Sequence, residues 1–84
     1  MHDPGRIAER VREVLAQVLD VRPTNIGSDF SATSSGAWTS LNHLMLISQL
    51  ETEFDVVFSN QEIRELTSYT AIVDTLGRRV DPVT

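Results

Sequence analysis

What this chain lacks narrows what it can be. It has no cysteine, so neither a disulfide framework nor a thiolate metal site can staple it, and packing alone must hold the fold. Its two histidines, His2 and His43, are too few and too far apart for a histidine-rich metal centre, and no metal site is expected. No apolar run approaches the roughly 20 residues that cross a bilayer. The N-terminal MHDPGRIAER lacks the apolar segment of a secretory signal, so a cytoplasmic protein without membrane contact is expected. Lysine is absent, and the seven bases are outnumbered by twelve acids for a net charge of -5. That balance opposes electrostatic binding to nucleic acid or an anionic membrane. There is no glycine-rich phosphate loop, and no strand alternation persists beyond DVVF.

With 84 residues the chain encloses one core and is read as a single domain over 1–84, with residues 1–3 and 81–84 as mobile ends. Acids and bases balance within residues 1–28 and again within 66–84. The whole excess therefore lies between, where Asp29, Glu51, Glu53, Asp55, Glu62 and Glu65 face Arg64 alone. A basic partner would dock on this middle region. Within it, however, the stretch from Phe30 to Leu50 carries no formal charge.

Apolar residues Ile7, Val11, Val14, Leu15 and Val18 recur at spacings of three and four, which predicts an amphipathic helix from Pro4 to Asp20, with Asp3 as its cap. Residues 21–39 are rich in Ser, Thr, Gly and Pro and form a long loop, anchored by Ile26 and Phe30; loops of this length in small domains are usually functional. A second helix is expected from about Ser40 to Phe54, closed by Asp55 in a left-handed turn. A short third helix, QEIREL, follows a cap at Ser59 or Asn60. A fourth follows Thr67 or Ser68, buries Ile72, Val73 and Leu76, and ends at Gly77. The expected fold is all-α: a small four-helix bundle with a long loop between the first two helices and a short third helix.

On a helical wheel Leu44, Leu46, Ile47, Leu50 and Phe54 share one broad arc, the expected core face, while Leu41 and Met45 point away from it. Two apolar groups would thus project within a turn of Ser40, unless the 21–39 loop covers them. Ser40 is itself open to two readings. A serine before a helix is ordinarily its N-cap. Here two hydroxyls stand in tandem, and one cap suffices; with Thr39 as cap, Ser40 is free for chemistry. A phosphate ester on Ser40 would sit at the positive end of the helix dipole. A nucleophilic Ser40 activated by His43 is disfavoured, because the wheel turns His43 toward the core, where it would bond a loop carbonyl, and no local carboxylate would orient it.

The order amphipathic helix, long loop, Ser-Leu opening a second helix, and Leu50-Glu51-x-Glu53-Phe54 closing it resembles the acyl carrier protein family over nearly the whole chain. FSNQEIRELTSYTAIVDTL resembles the family's third and fourth helices. The resemblance implies a non-enzymatic carrier with 4′-phosphopantetheine, derived from coenzyme A, attached covalently at Ser40. The arm would tether acyl or aminoacyl thioesters for fatty-acid-like, polyketide or nonribosomal peptide synthesis. Implied partners are a phosphopantetheinyl transferase and loading and condensing enzymes, with the carrier itself a monomer. For docking, the candidates are Leu41, Met45, Glu51, Glu62 and Glu65; for an acyl cleft they are Ile47, Leu50, Leu66 and Tyr69. The chain departs from the family pattern at Thr39, where the family has aspartate, at Asn42 and Met45, where acids are usual, and at Asp55, where Gly is missing. The alternative is a degenerate relative that serves as a helical interaction module without the arm.

Overall fold

The computed structural model describes residues 4–79; the expected cap Asp3 and the expected mobile ends 1–3 and 81–84 lie outside the described residues. The fold is all-α, as expected. It comprises α1 (Pro4–Leu19), a 3-10 turn (Pro23–Asn25), α2 (Ser40–Phe54), the short α3 (Asn60–Glu65) and α4 (Tyr69–Arg79). Helix α1 is the spine against which α2 and α4 both pack. Its buried stripe is Ile7, Val11, Val14, Leu15 and Leu19, the three-and-four spacing of an apolar helix face. Leu46 and Leu50 from α2, Leu66, and Ile72 and Leu76 from α4 complete the core without measurable exposure.

Helix ends are set by local chemistry. Helices α1 and α2 are followed by Asp20 (φ 56°) and Asp55 (φ 54°) in the left-handed region, where the short polar side chain makes Asp tolerable though less suited than Gly. In the second case the Val56 N–H returns to the Glu51 carbonyl at 3.1 Å. At the start of α3, Ser59 Oγ accepts the Glu62 N–H while the Glu62 carboxylate accepts the Ser59 N–H, a reciprocal capping box. Ser68 caps α4 by accepting the Ala71 N–H at 3.0 Å.

Two expectations need correction. Gly77 does not end α4, which runs on to Arg79. Gly77 has no positive φ, and Arg79 is tied down beyond it by the Glu62 carboxylate and by the Val57 carbonyl at 2.6 Å, so the last turn is held in place. Leu44 is not a core residue: it is 61% exposed. Only Leu46, Ile47, Leu50 and Phe54 of α2 are buried, and Leu44 lies roughly a quarter-turn from the centre of that narrower face.

The long loop is ordered by apolar anchors and by bonds to α4. Ile26 and Phe30 are buried as expected, and Trp38 joins them, its ring stacked on Phe30 with centroids 5.9 Å apart. The Tyr69 N–H donates to Phe30 O at 3.0 Å and the Ala32 N–H to Thr67 O at 2.9 Å, while Thr70 Oγ1 donates to Ser28 O at 2.8 Å. Arg12 adds a bond to the Ile26 carbonyl at 3.1 Å and lies over the Tyr69 ring. The loop is thereby fastened on both sides, and its far end delivers Thr39 and Ser40 to one place.

Candidate functional site at the start of helix α2

Thr39 is the N-cap of α2: its backbone is extended (φ -84°, ψ 171°) and its hydroxyl accepts the Asn42 N–H at 3.2 Å. Asn42 in turn reaches back to donate to the Ala37 carbonyl at 2.8 Å, which fixes the entry of the loop. Ser40 follows as the first helical residue and is exposed. Its hydroxyl bonds no other described residue. At this position the first-turn N–H groups give the helix its positive end, so Ser40 offers an unengaged oxygen where added negative charge is stabilised.

One turn on, His43 is half-buried and fully engaged. The Trp38 indole N–H donates to its Nδ1 at 3.0 Å, and its Nε2 lies 2.7 Å from the carbonyl oxygen of Ile63. An indole can only donate and a carbonyl can only accept, so His43 carries its proton on Nε2 and accepts at Nδ1. The ring bridges the loop, α2 and α3. Its carbonyl partner lies on α3 rather than on the loop, as had been expected. With both nitrogens occupied, the ring has none left to take a proton from Ser40, so no nucleophile–base pair exists here.

Leu41 (67% exposed), Leu44 (61%) and Met45 (49%) form an apolar face beside Ser40. The loop does not cover it. Between this face and the loop runs an open groove of about 340 Å³, lined by Thr39, Ser40, His43 and Leu44 of α2 and by Ala32, Trp38 and Thr67 across from them. Ile47, Leu50, Leu66 and Tyr69, expected to form a cleft, are buried in the core, and none lines this groove. Tyr69 is further committed through its hydroxyl, which donates to the Ala8 carbonyl at 2.9 Å.

The acids named for docking are dispersed and largely engaged. Glu51 accepts the Phe58 N–H at 2.9 Å. Glu62 belongs to the capping box and pairs with Arg79, and these partners, the Ser59 N–H foremost, hold its carboxyl below the ordinary value. Glu65 is exposed and accepts from Gln61 at 3.2 Å. Glu53, another of the acids of the middle region, pairs with Arg10 at 2.7 Å, and that hydrogen-bonded guanidinium lowers its carboxyl as well.

Sequence reasoning missed the groove and its Trp38 wall. The signal was present: a lone tryptophan amid Ser, Thr and Gly must bury its ring and find an acceptor for its N–H, and His43, five residues on, is one of the α2 side chains able to accept it.

An exposed serine, with its neighbour as the cap, thus opens the second of four helices. No family model matches the chain. The chain is similar to acyl carrier proteins. That of Buchnera aphidicola subsp. Acyrthosiphon pisum (strain Tuc7) is 27% identical over 73 residues, which cover 87% of this chain and 91% of the relative. That of strain 5A is 29% identical with the same coverage. The likeness thus covers most of the chain rather than a single motif.

Proposed function

We propose that this chain is an acyl carrier protein, a non-enzyme that holds acyl or aminoacyl groups on a 4′-phosphopantetheine arm at Ser40. The observation that carries the reading is the division of labour between Thr39 and Ser40: the first caps α2, and the second is left exposed with an unengaged hydroxyl. The site fits the group. A phosphodiester on Ser40 Oγ meets no buried carboxylate, faces the positive end of α2 and starts beside an open groove. Bound there, the arm supplies a thiol that carries the acyl group as a reactive thioester.

In the attachment step a bond forms between Ser40 Oγ and the pantetheine phosphorus as the pyrophosphate bond of coenzyme A breaks, and adenosine 3′,5′-bisphosphate leaves. The serine proton goes to a base of the transferase, because His43 has no free nitrogen to receive it. What the chain contributes afterwards is position. It presents the arm from a capped, rigid helix end, raising the effective concentration of its cargo at each partner. Partners, a phosphopantetheinyl transferase among them, dock on Leu41, Leu44 and Met45, where the helix carries no formal charge; Glu65 and its acidic neighbours act further away. Binding should then weaken only modestly with salt. Met45→Glu should impair it more than Glu65→Gln; a silent Met45→Glu with steep salt dependence would overturn this docking mode.

The test of the carrier reading is an intact mass after incubation with coenzyme A, magnesium and a broad-specificity transferase. A gain of one phosphopantetheine, absent in Ser40→Ala, supports it. No gain with any of several transferases favours an interaction module without the arm.

A further inference from the structure

His43 ties α2 to α3 one turn from Ser40, and the groove on the outer side is open. His43 spans from α2 to the Ile63 carbonyl of α3 at 2.7 Å and is held from the loop side by Trp38 at 3.0 Å, with ring centroids 6.2 Å apart. The core beside these helices includes Ile47, Leu50 and Leu66. Those three residues are at most 5% exposed, so they present no vacant wall to an incoming chain. On the outer side, Ser40 itself lines the groove, so anything esterified to its hydroxyl begins there.

We propose that the Trp38–His43–Ile63 relay is a latch that keeps a group tethered to Ser40 out of the bundle core, seating it against Trp38, Leu44 and Ala32 in the outer groove. The groove has no charged side chain among its lining residues. It offers an indole, an imidazole and aliphatic carbons, with hydroxyls from Thr39 and Thr67. The class of group it suits is a short, uncharged acyl or aryl group; an ammonium would find no counter-charge there. A long aliphatic chain would overrun the groove and remain in contact with water. The biological meaning of this seat rests on the carrier reading, but the seat itself can be tested without it.

Because the chain has no cysteine and one tryptophan, Ser40→Cys provides a single thiol and Trp38 a single fluorescent reporter. Iodoacetamides bearing methyl, butyl or octyl groups attach arms of graded length, the thiolate displacing iodide, with no transferase involved. The methyl and butyl arms should change the Trp38 emission, and the Tm should not rise from methyl to octyl. A Tm that climbs with chain length while Trp38 emission stays constant would place the chain in the core and overturn the proposal. No change in either would leave the arm in solvent and overturn the seat. In Ser40→Cys combined with His43→Ala, the octyl arm should raise the Tm above that of the methyl arm, because the route inward is open; His43→Asn replaces the alanine variant if that fails to fold. An octyl arm that stabilises neither variant refutes His43 as the latch. Absence of a mass gain with coenzyme A would refute the carrier reading and leave these outcomes unaltered.

Discussion

The indole N–H of Trp38 donates to Nδ1 of His43 at 3.0 Å, and the same imidazole bonds the Ile63 carbonyl from its other nitrogen. The loop, α2 and α3 thus meet at one ring beside Ser40. A relay of this kind stabilises only while every member has its partner.

Trp38→Phe keeps an aromatic ring against Phe30 but leaves Nδ1 of a half-buried imidazole without a donor, which should cost about 1–3 kcal/mol. Combining it with His43→Ala in a double-mutant cycle should show a coupling of about 0.5–3 kcal/mol, read by urea unfolding. Additive losses would mean that the indole–imidazole bond adds nothing to stability.

Capping and availability are expected to separate between neighbours. Thr39→Ala removes the oxygen that accepts the Asn42 N–H and should cost about 0.5–2 kcal/mol, whereas Ser40→Ala should cost distinctly less. Thr39→Asp should keep the stability, since aspartate caps as well as threonine, and should speed modification by transferases suited to an aspartate at that position. Chemical denaturation gives the first comparison and the initial rate of mass gain the second.

Much of this was legible in the sequence because local rules governed it. The span of α2, its left-handed close at Asp55, the caps of α3 and α4 to within two candidates each, and the anchors Ile26 and Phe30 follow from side chains acting on adjacent backbone or from apolar spacing. The misses have a common cause in contacts between distant segments. Leu44 fell within the apolar arc of the wheel, but which part of an arc is buried depends on where α1 and α4 lie. Gly77 carried a helix-ending signal that the anchoring of Arg79 to Glu62 and Val57 overrides. The groove beside Ser40 is built from Ala32, Trp38 and Thr67, residues that no periodicity assigns to α2. Glu51 and Glu62 read as free surface charge until their backbone partners, the Phe58 and Ser59 N–H groups, are seen.

Gly77 offers a simple gain. A methyl group there meets nothing within 4 Å, and the residue lies inside a regular helix. Gly77→Ala should therefore stabilise the fold by about 0.5–1 kcal/mol, seen as a higher urea midpoint. A loss would show that α4 requires the freedom of glycine near its end.

Acid should loosen the ties at the far end of the bundle. The carboxyls of Glu53 and Glu62 are held below the ordinary value of 4.5, the first by Arg10 and the second by the Ser59 N–H and then Arg79. A lowered folded pKa contributes stability that is complete above the unfolded value and is lost as pH falls through the folded one. The urea midpoint should hold from about pH 7 to about pH 5 and fall below that. In Glu62→Gln, which retains an oxygen for the Ser59 N–H but has no proton to gain, the fall should be shallower. An equal fall in both proteins would remove Glu62 from the account.

The central claim is that Ser40 bears the arm while Thr39 holds the helix, and the most direct measurement is a pair of intact masses taken after incubation with coenzyme A, magnesium and a broad-specificity phosphopantetheinyl transferase. The wild-type chain and Thr39→Ala should each gain one phosphopantetheine, and Ser40→Ala should gain none. A modification that persists in Ser40→Ala, or a wild-type chain that stays unmodified with several transferases, would contradict the claim.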